Sequence, residues 1–243
     1  MAASYDTIGV NYSHLRRADP RIAARIHSAL GDARRVLNVG AGAGNYEPVD
    51  REVIAVEPSA EMIGQRPDGA APVIQGSAEA LPFADNSFDA AMASLTVHHW
   101  TDKAKGLAEM RRVSRGPVVL FTFDPAFRQC WLTDYFPEIV VMDDEQMPQM
   151  ADYERWLGPV SVVPVPIPHD CTDGFLYSYW RRPQAYLDPV IRKGISTFWK
   201  MKDADDGLAR LAADLETGRW HNRYGHLLEV EELDTGYRLL VAE

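Results

Sequence analysis

Residues 36–57 read VLNVGAGAGNYEPVDREVIAVE, and this stretch decides the fold. Val36-Leu37-Asn38-Val39 has the residue types of a strand buried in a parallel sheet. Gly40, Gly42 and Gly44 follow at every second position. Glycine lacks Cβ, so it takes positive φ and lets a ligand lie directly on the backbone. Val53-Ile54-Ala55-Val56 reads as the next strand, and Glu57 ends it. A carboxylate at that tip is positioned to accept hydrogen bonds from both hydroxyls of a ribose. The pattern predicts an adenosine-containing cofactor lying across the carboxyl edge of a parallel sheet.

Two cofactor classes fit a glycine turn followed by an acid. Dinucleotide enzymes use G-x-G-x-x-G and a full helix whose N-terminus holds the pyrophosphate. Here the spacing is G-x-G-x-G, Asn45 stands at the third dinucleotide glycine, and Pro48 and Asp50 leave barely one helical turn before Val53. That is a poor phosphate cradle, which leaves a nicotinamide-dependent oxidoreductase as the weaker alternative. The segment instead resembles motif I of class I S-adenosylmethionine (SAM) methyltransferases, whose cofactor carries no phosphate. It departs from the common family pattern at one point: the acid usually found two residues before the first glycine is Asn38 here.

Further on, Gly76-Ser77-Ala78-Glu79-Ala80-Leu81-Pro82-Phe83 leads into Asp85-Asn86-Ser87-Phe88-Asp89 and a strand-like run. This resembles the signature of the methyltransferase type 11 group, which includes the quinone-biosynthesis C-methyltransferases. The resemblance covers about residues 5–124, and the remainder more loosely. It implies a Rossmann-like α/β fold: a seven-stranded, mostly parallel sheet in order 3-2-1-4-5-7-6, with an antiparallel last strand and helices on both faces. It implies cofactor contacts at Asn38, Gly40, Gly42, Gly44, Glu57, Pro58, Met62, Ser77, Ala78 and Leu95. Ser77 takes the place of an Asp that commonly bonds the adenine amine. It further implies an N-terminal segment folded over the cofactor, with Tyr5 and Tyr12 closing a lid and Arg16 pairing the methionine carboxylate. Without a ligand, the same residues read as a tight strand–helix turn, a surface loop with an Asx turn and a solvated arm.

Composition fits one domain over residues 1–243, with an arm and helix at 1–34. A net charge of −10 argues against a nucleic-acid partner, since phosphate contacts need a basic surface. The N-terminus, MAASYDTIGV, has no basic n-region or apolar core, and no apolar run approaches the ~20 residues of a membrane helix. A cytoplasmic protein, monomeric or homodimeric, is expected. Cys130 and Cys171 lack zinc-type spacing, and no clustered ligand set suggests a metal.

Asp19-Pro20 starts a helix that Gly31 can stop, and further helices are expected near 59–66 and 101–114, the last capped by Thr101. Strands are predicted near 35–39, 53–57, 72–75, 89–95 and 117–123, then a proline-rich edge strand within 159–168 and a closing strand over 236–241. Residues 169–225 carry nine aromatic residues where the family core needs only a short connection. They read as a helical insertion roofing the active site, with Tyr179 and Trp180 touching an apolar or aromatic acceptor; the alternative is a self-contained helical core. The loop Ser94-Leu95-Thr96-Val97-His98-His99-Trp100 lies, by the resemblance, beside the transferring methyl group. His99, or else His98, is the candidate general base, and Trp100 an acceptor contact. The function expected is SAM-dependent methylation of a small molecule, at oxygen or carbon. Alternatives are methylation of nitrogen or a carboxylate, and a SAM-binding module without catalysis.

Overall fold

The structure, a computed structural model, describes residues 15–243. Tyr5 and Tyr12 lie outside the described residues. Helix α1 (Pro20–Ala29) begins where Asp19 accepts a hydrogen bond from Arg21 N, with proline at the first helical position. It ends at Gly31, which adopts φ +56°. Ile22, Ile26 and Leu30 form its buried stripe. Strand β1 (Arg35–Val39), the glycine turn and β2 (Glu52–Glu57) follow, with no helix between the strands. Next come α2 (Ala60–Gly64), β3 (Val73–Gln75), β4 (Ala90–Ser94), α3 (Lys103–Val113) and β5 (Val118–Phe123). The cap of α3 is Asp102 rather than Thr101, its carboxylate accepting from Lys105 N. An aspartate reaches the third amide of the first turn as well as threonine does, so position alone could not choose between them.

Three helices, α4 (Leu132–Tyr135), α5 (Glu138–Gln146) and α6 (Met150–Leu157), lead to β6 (Val160–Pro164). The chain then forms a short strand β7 (Ile167–Pro168), helices α7 (Pro189–Lys193), α8 (Ser196–Lys200), α9 (Ala204–Glu216) and α10 (Arg219–Tyr224), a partner strand β8 (Glu232–Leu233) and the closing β9 (Tyr237–Ala242). The main sheet has the order β3-β2-β1-β4-β5-β9-β6. Its first five strands are parallel, and β9 runs antiparallel to both β5 and β6. The expected topology is thus present, with β9 as the seventh strand and β6 at the edge, where its prolines cost no ladder bonds.

Side chains alternate between two cores. Val36, Ala90, Met92, Val119 and Phe121 pack on one face with Ile22 and Ile26; Leu37, Val39, Ala91, Ala93, Val118 and Leu120 pack on the other with Leu107, Met110 and Val113 of α3. A strand buried on both sides is apolar except where a polar group finds a partner, which is why β5 reads VVLFTF, with Thr122 Oγ1 3.1 Å from the Tyr153 hydroxyl. The first core continues into the 169–225 region through Phe175, Tyr177, Trp180, Tyr186 and Trp220.

Candidate active site

The carboxyl ends of β1, β2 and β4 and the loop after β3 open into a cavity of about 440 Å³. Met62 of α2, the loop before α3 and Arg16 complete its wall. Its floor is the glycine turn. Gly40 N and Ala41 N both bond Val56 O, at 2.8 and 3.1 Å, which folds the turn back over β2. Gly40 has φ +67°, and a Cβ there would meet Thr96 Oγ1 at 2.2 Å. Gly42 (φ +53°) and Gly44 (φ +95°) are also left-handed. The turn therefore uses the conformational freedom of glycine and also its lack of bulk.

Glu57 is 6% exposed and lines the cavity. Its carboxylate accepts from Gly42 N at 2.8 Å and Ser59 N at 3.0 Å. It thus fastens the turn and the start of α2 as well as facing the cavity. A carboxylate has about four acceptor positions, so a ribose diol still finds lone pairs on it. Asn38 sits at the end of β1; its Nδ2 donates to Glu47 Oε1 at 3.0 Å. Glu47 is in turn gripped through both oxygens by Arg66, at 2.9 and 2.8 Å.

Pro58, Met62, Ser77, Ala78 and Leu95 line the cavity too, as expected from the sequence, while Gly44 stands behind it against Glu47 and Arg66. Leu95 (φ +53°) and Tyr46 (φ +65°) are bulky residues in the left-handed region, and both are cavity-lining. Such conformations cost about 1–3 kcal/mol each and gather at functional sites. Tyr46 is held by its phenol, which donates to Asp173 Oδ2 at 2.7 Å. Arg16 grips the same carboxylate through Nε (2.5 Å) and Nη2 (3.2 Å). Asp173 is fully buried. The charge of Arg16 is therefore matched by the insertion, where the sequence reading gave it to the methionine carboxylate.

His99 lines the cavity and His98 does not; their rings lie 3.9 Å apart. Both are packed round by protein while keeping part of their surface open. Desolvation, reinforced by the positive charges of Lys200, Lys103 and Arg16, pushes the His99 imidazole down to about 3. His98 is also held well below its usual value, by burial and by the neighbouring His99. The expectation of a histidine titrating near neutrality is corrected: both rings are neutral at pH 7, and as bases they are weak. Trp100 lines the cavity beside Ala78, and Gly106 of α3 makes room for it, since a Cβ there would meet its ring at 2.5 Å. Glu79 accepts from Thr101 N and Asp102 N, tying the loop after β3 to the start of α3.

Trp180 is a core residue and does not line the cavity. It is 0% exposed, and its indole donates to Ile167 O at 2.9 Å. Tyr179 also lies off the cavity wall, edge-on to Tyr186 and under the Arg182 guanidinium. A tryptophan N–H finds its partner more readily inside a core than at an apolar ligand wall, and an aromatic count alone carries no direction. The sequence reading missed Tyr46, Glu47, Arg66 and the anchoring role of Asp173, whose partners are distant in the chain. It also missed Gly106, whose spacing from Trp100 was the available signal. Among the described residues no group of His, Cys, Asp or Glu could hold a metal ion, and no helix is long and apolar enough to cross a membrane.

A family model described as a methyltransferase domain matches residues 37–121. Across nearly the whole chain, the structure superposes on a solved methyltransferase described as from an antibiotic biosynthesis pathway of Anabaena variabilis. The two share 33% identity at a TM-score of 0.88, over 94% of this chain and 99% of that one. The chain belongs to the SAM-dependent methyltransferase family. Demethylmenaquinone methyltransferase of Renibacterium salmoninarum is 40% identical over 103 residues, covering 39% of this chain and 44% of that protein. The uncharacterised methyltransferase YcgJ of Bacillus subtilis is 38% identical over 121 residues, 45% of this chain and 44% of its own. The chain thus spans less than half the length of these curated relatives. This methyltransferase's cofactor is SAM, and the cavity suits it: backbone laid bare by glycines, a carboxylate at the tip of β2, and two buried polar atoms without partners among the described residues, Asn38 Oδ1 and Ser94 Oγ.

Proposed function

We propose that this enzyme methylates a small, apolar or aromatic molecule at oxygen or carbon, through an acceptor that carries or readily acquires negative charge. When bound, SAM supplies a methyl group on a sulfonium, already a good leaving group. The chain's own task is then to align and desolvate the acceptor. The observation that carries the reading is the charge around His99. Besides burial, the groups acting on the ring are Lys200 and Lys103 and, with its charge matched by Asp173, Arg16, in a chain of net charge −10. A protonated amine would meet like charges there, whereas a phenolate, enolate or carboxylate would not. His99 at about 3 is too weak a base for an unactivated alcohol and suffices to hydrogen-bond an acidic hydroxyl. The relative named for demethylmenaquinone, a quinone, agrees with a ring acceptor.

In this reading Asn38, Gly40, Gly42, Glu57, Pro58, Met62, Ser77, Ala78 and Leu95 face the cofactor. Trp100, next to Ala78, belongs to its adenine side rather than to the acceptor. The 169–225 insertion serves the site through Asp173, which holds Arg16 and Tyr46 at the wall. The acidic chain acts without nucleic acid, as a cytoplasmic monomer or homodimer. Transfer of a labelled methyl group from SAM to a panel of phenols, enols, carboxylic acids and amines tests the proposal. Turnover is expected on an acidic hydroxyl or its ring carbon. Turnover on amines alone would overturn it, and tight S-adenosylhomocysteine binding with no turnover on any acceptor would favour a non-catalytic module.

A further inference from the structure

Asn38 Oδ1 and Ser94 Oγ are buried without a hydrogen-bond partner among the described residues. They stand at the ends of adjacent strands, β1 and β4, and both residues line the cavity. Asn38 is 1% exposed, so solvent does not compensate its oxygen. The amide is also prevented from turning over. Its Nδ2 faces the Glu47 carboxylate at 3.0 Å, and an ionised carboxylate only accepts. Reversing the amide would set oxygen against oxygen. Glu47 is itself immobile, held by Arg66, and Arg66 is pinned by the carbonyls of Gly42 and Ala71.

The cavity's polar groups divide by strand. Glu57 and Ser77 follow β2 and β3, on the side that suits a ribose and an adenine. Asn38 and Ser94 belong to β1 and β4, where the other end of the cofactor must reach. That end carries an ammonium, with three N–H donors, and a carboxylate, with none. An unpartnered oxygen held in one orientation on a residue of the cavity wall suits the ammonium. We propose that Glu47 is a positioning residue: it fixes Asn38 so that Oδ1, together with Ser94 Oγ, accepts hydrogen bonds from the ammonium of SAM. The arrangement also accounts for an amide where the family commonly has an acid, because a carboxylate at position 38 would repel Glu47 across 3.0 Å. The proposal rests on the SAM reading of the site.

Two probes separate this role from a merely structural one. S-adenosylhomocysteine carries the amino-acid end; 5′-methylthioadenosine keeps the adenosine and thioether and lacks it. Calorimetric titration of Glu47→Gln should show S-adenosylhomocysteine weakened about tenfold or more, the scale of a hydrogen bond to a charged group, with methylthioadenosine unchanged. Because this change also loosens Arg66, Asn38→Leu is the companion variant: it removes Oδ1, leaves the Glu47–Arg66 pair, and should give the same split. Combining Glu47→Gln with Asn38→Asp should restore S-adenosylhomocysteine affinity, since the new amide donates to the new carboxylate and leaves its second oxygen free. Equal weakening of both probes, or of neither, overturns the proposal. A wild-type protein that binds neither probe defeats the SAM reading itself.

Discussion

Between Val36 and Trp100 the cavity is lined by residues within a few positions of a strand end, and most of them serve their neighbours: Glu57 holds Gly42 and Ser59, and Glu79 holds Thr101 and Asp102. Between His169 and Gly225 the aromatic side chains turn inward and meet distant partners. Trp131 donates to Trp180 O across 49 positions, and Arg16 meets Asp173 across 157. One region presents its chemistry to a ligand. The other spends most of its residues on its own packing and lends the site one buried carboxylate. A loop-and-strand-end design leaves function legible in short spacing, whereas a helical insertion is specified by which surfaces find each other.

The difference can be broken by mutation. The largest effect is expected at Trp180→Ala, which should lower stability by about 3–5 kcal/mol in a denaturant titration. Its S-adenosylhomocysteine affinity should stay within about twofold, as for a site distant from the ligand. A strong loss of affinity in the folded mutant would return Trp180 to the site. Asp173→Asn comes next. It strips the carboxylate from Arg16 and Tyr46, and should cost about 3 kcal/mol of stability. Unlike Trp180→Ala it should also slow methyl transfer, because both partners line the cavity; unchanged turnover would confine Asp173 to folding.

Glu57→Ala should weaken S-adenosylhomocysteine by about 1.5–3 kcal/mol. It should also destabilise the free protein, since Gly42 N and Ser59 N lose their acceptor. Binding loss without any stability loss would contradict the fastening role. The smallest effect is a pH dependence. The His99 pKa falls from 6.5 to about 3 on folding, so the unfolded chain binds more protons below 6.5. The stability from keeping this ring neutral is present above pH 6.5 and is lost as pH drops from there toward 3, by at most about 1.4 kcal/mol per unit. Unfolding titrations at pH 7.5 and 5.0 should show a shallower decline for His99→Gln than for wild type; equal declines would mean the ring titrates normally.

The sheet was legible because alternation and apolar runs are local properties, and because a glycine turn needs particular residues at particular spacings. Gly40 had to be glycine for Thr96, and Glu57 had to end its strand. Glu47 and Arg66 were invisible for the opposite reason. Nothing in their spacing distinguishes a buried pair from two surface charges, and only the fold brings Glu47, from the turn after β1, and Arg66, from beyond α2, together beside Asn38. The histidine pair was found, but its protonation was misjudged, since burial is a tertiary property. Trp180 and Tyr179 were recognised as important without the side they face.

The contact of Asp173 with Arg16 and Tyr46 also bears on the order in which the molecule is made. Tyr46 and Asp173 are separated by 127 positions, and Arg16 and Asp173 by 157. During synthesis the glycine turn and the first five strands leave the ribosome well before Asp173 does. A chain arrested before that residue would contain every signature of cofactor recognition, yet the Tyr46 phenol and Arg16 would both lack the Asp173 carboxylate. Closing so long a loop is slow. Competence to bind the cofactor should therefore emerge late, as a property of the completed chain rather than of its recognisable half.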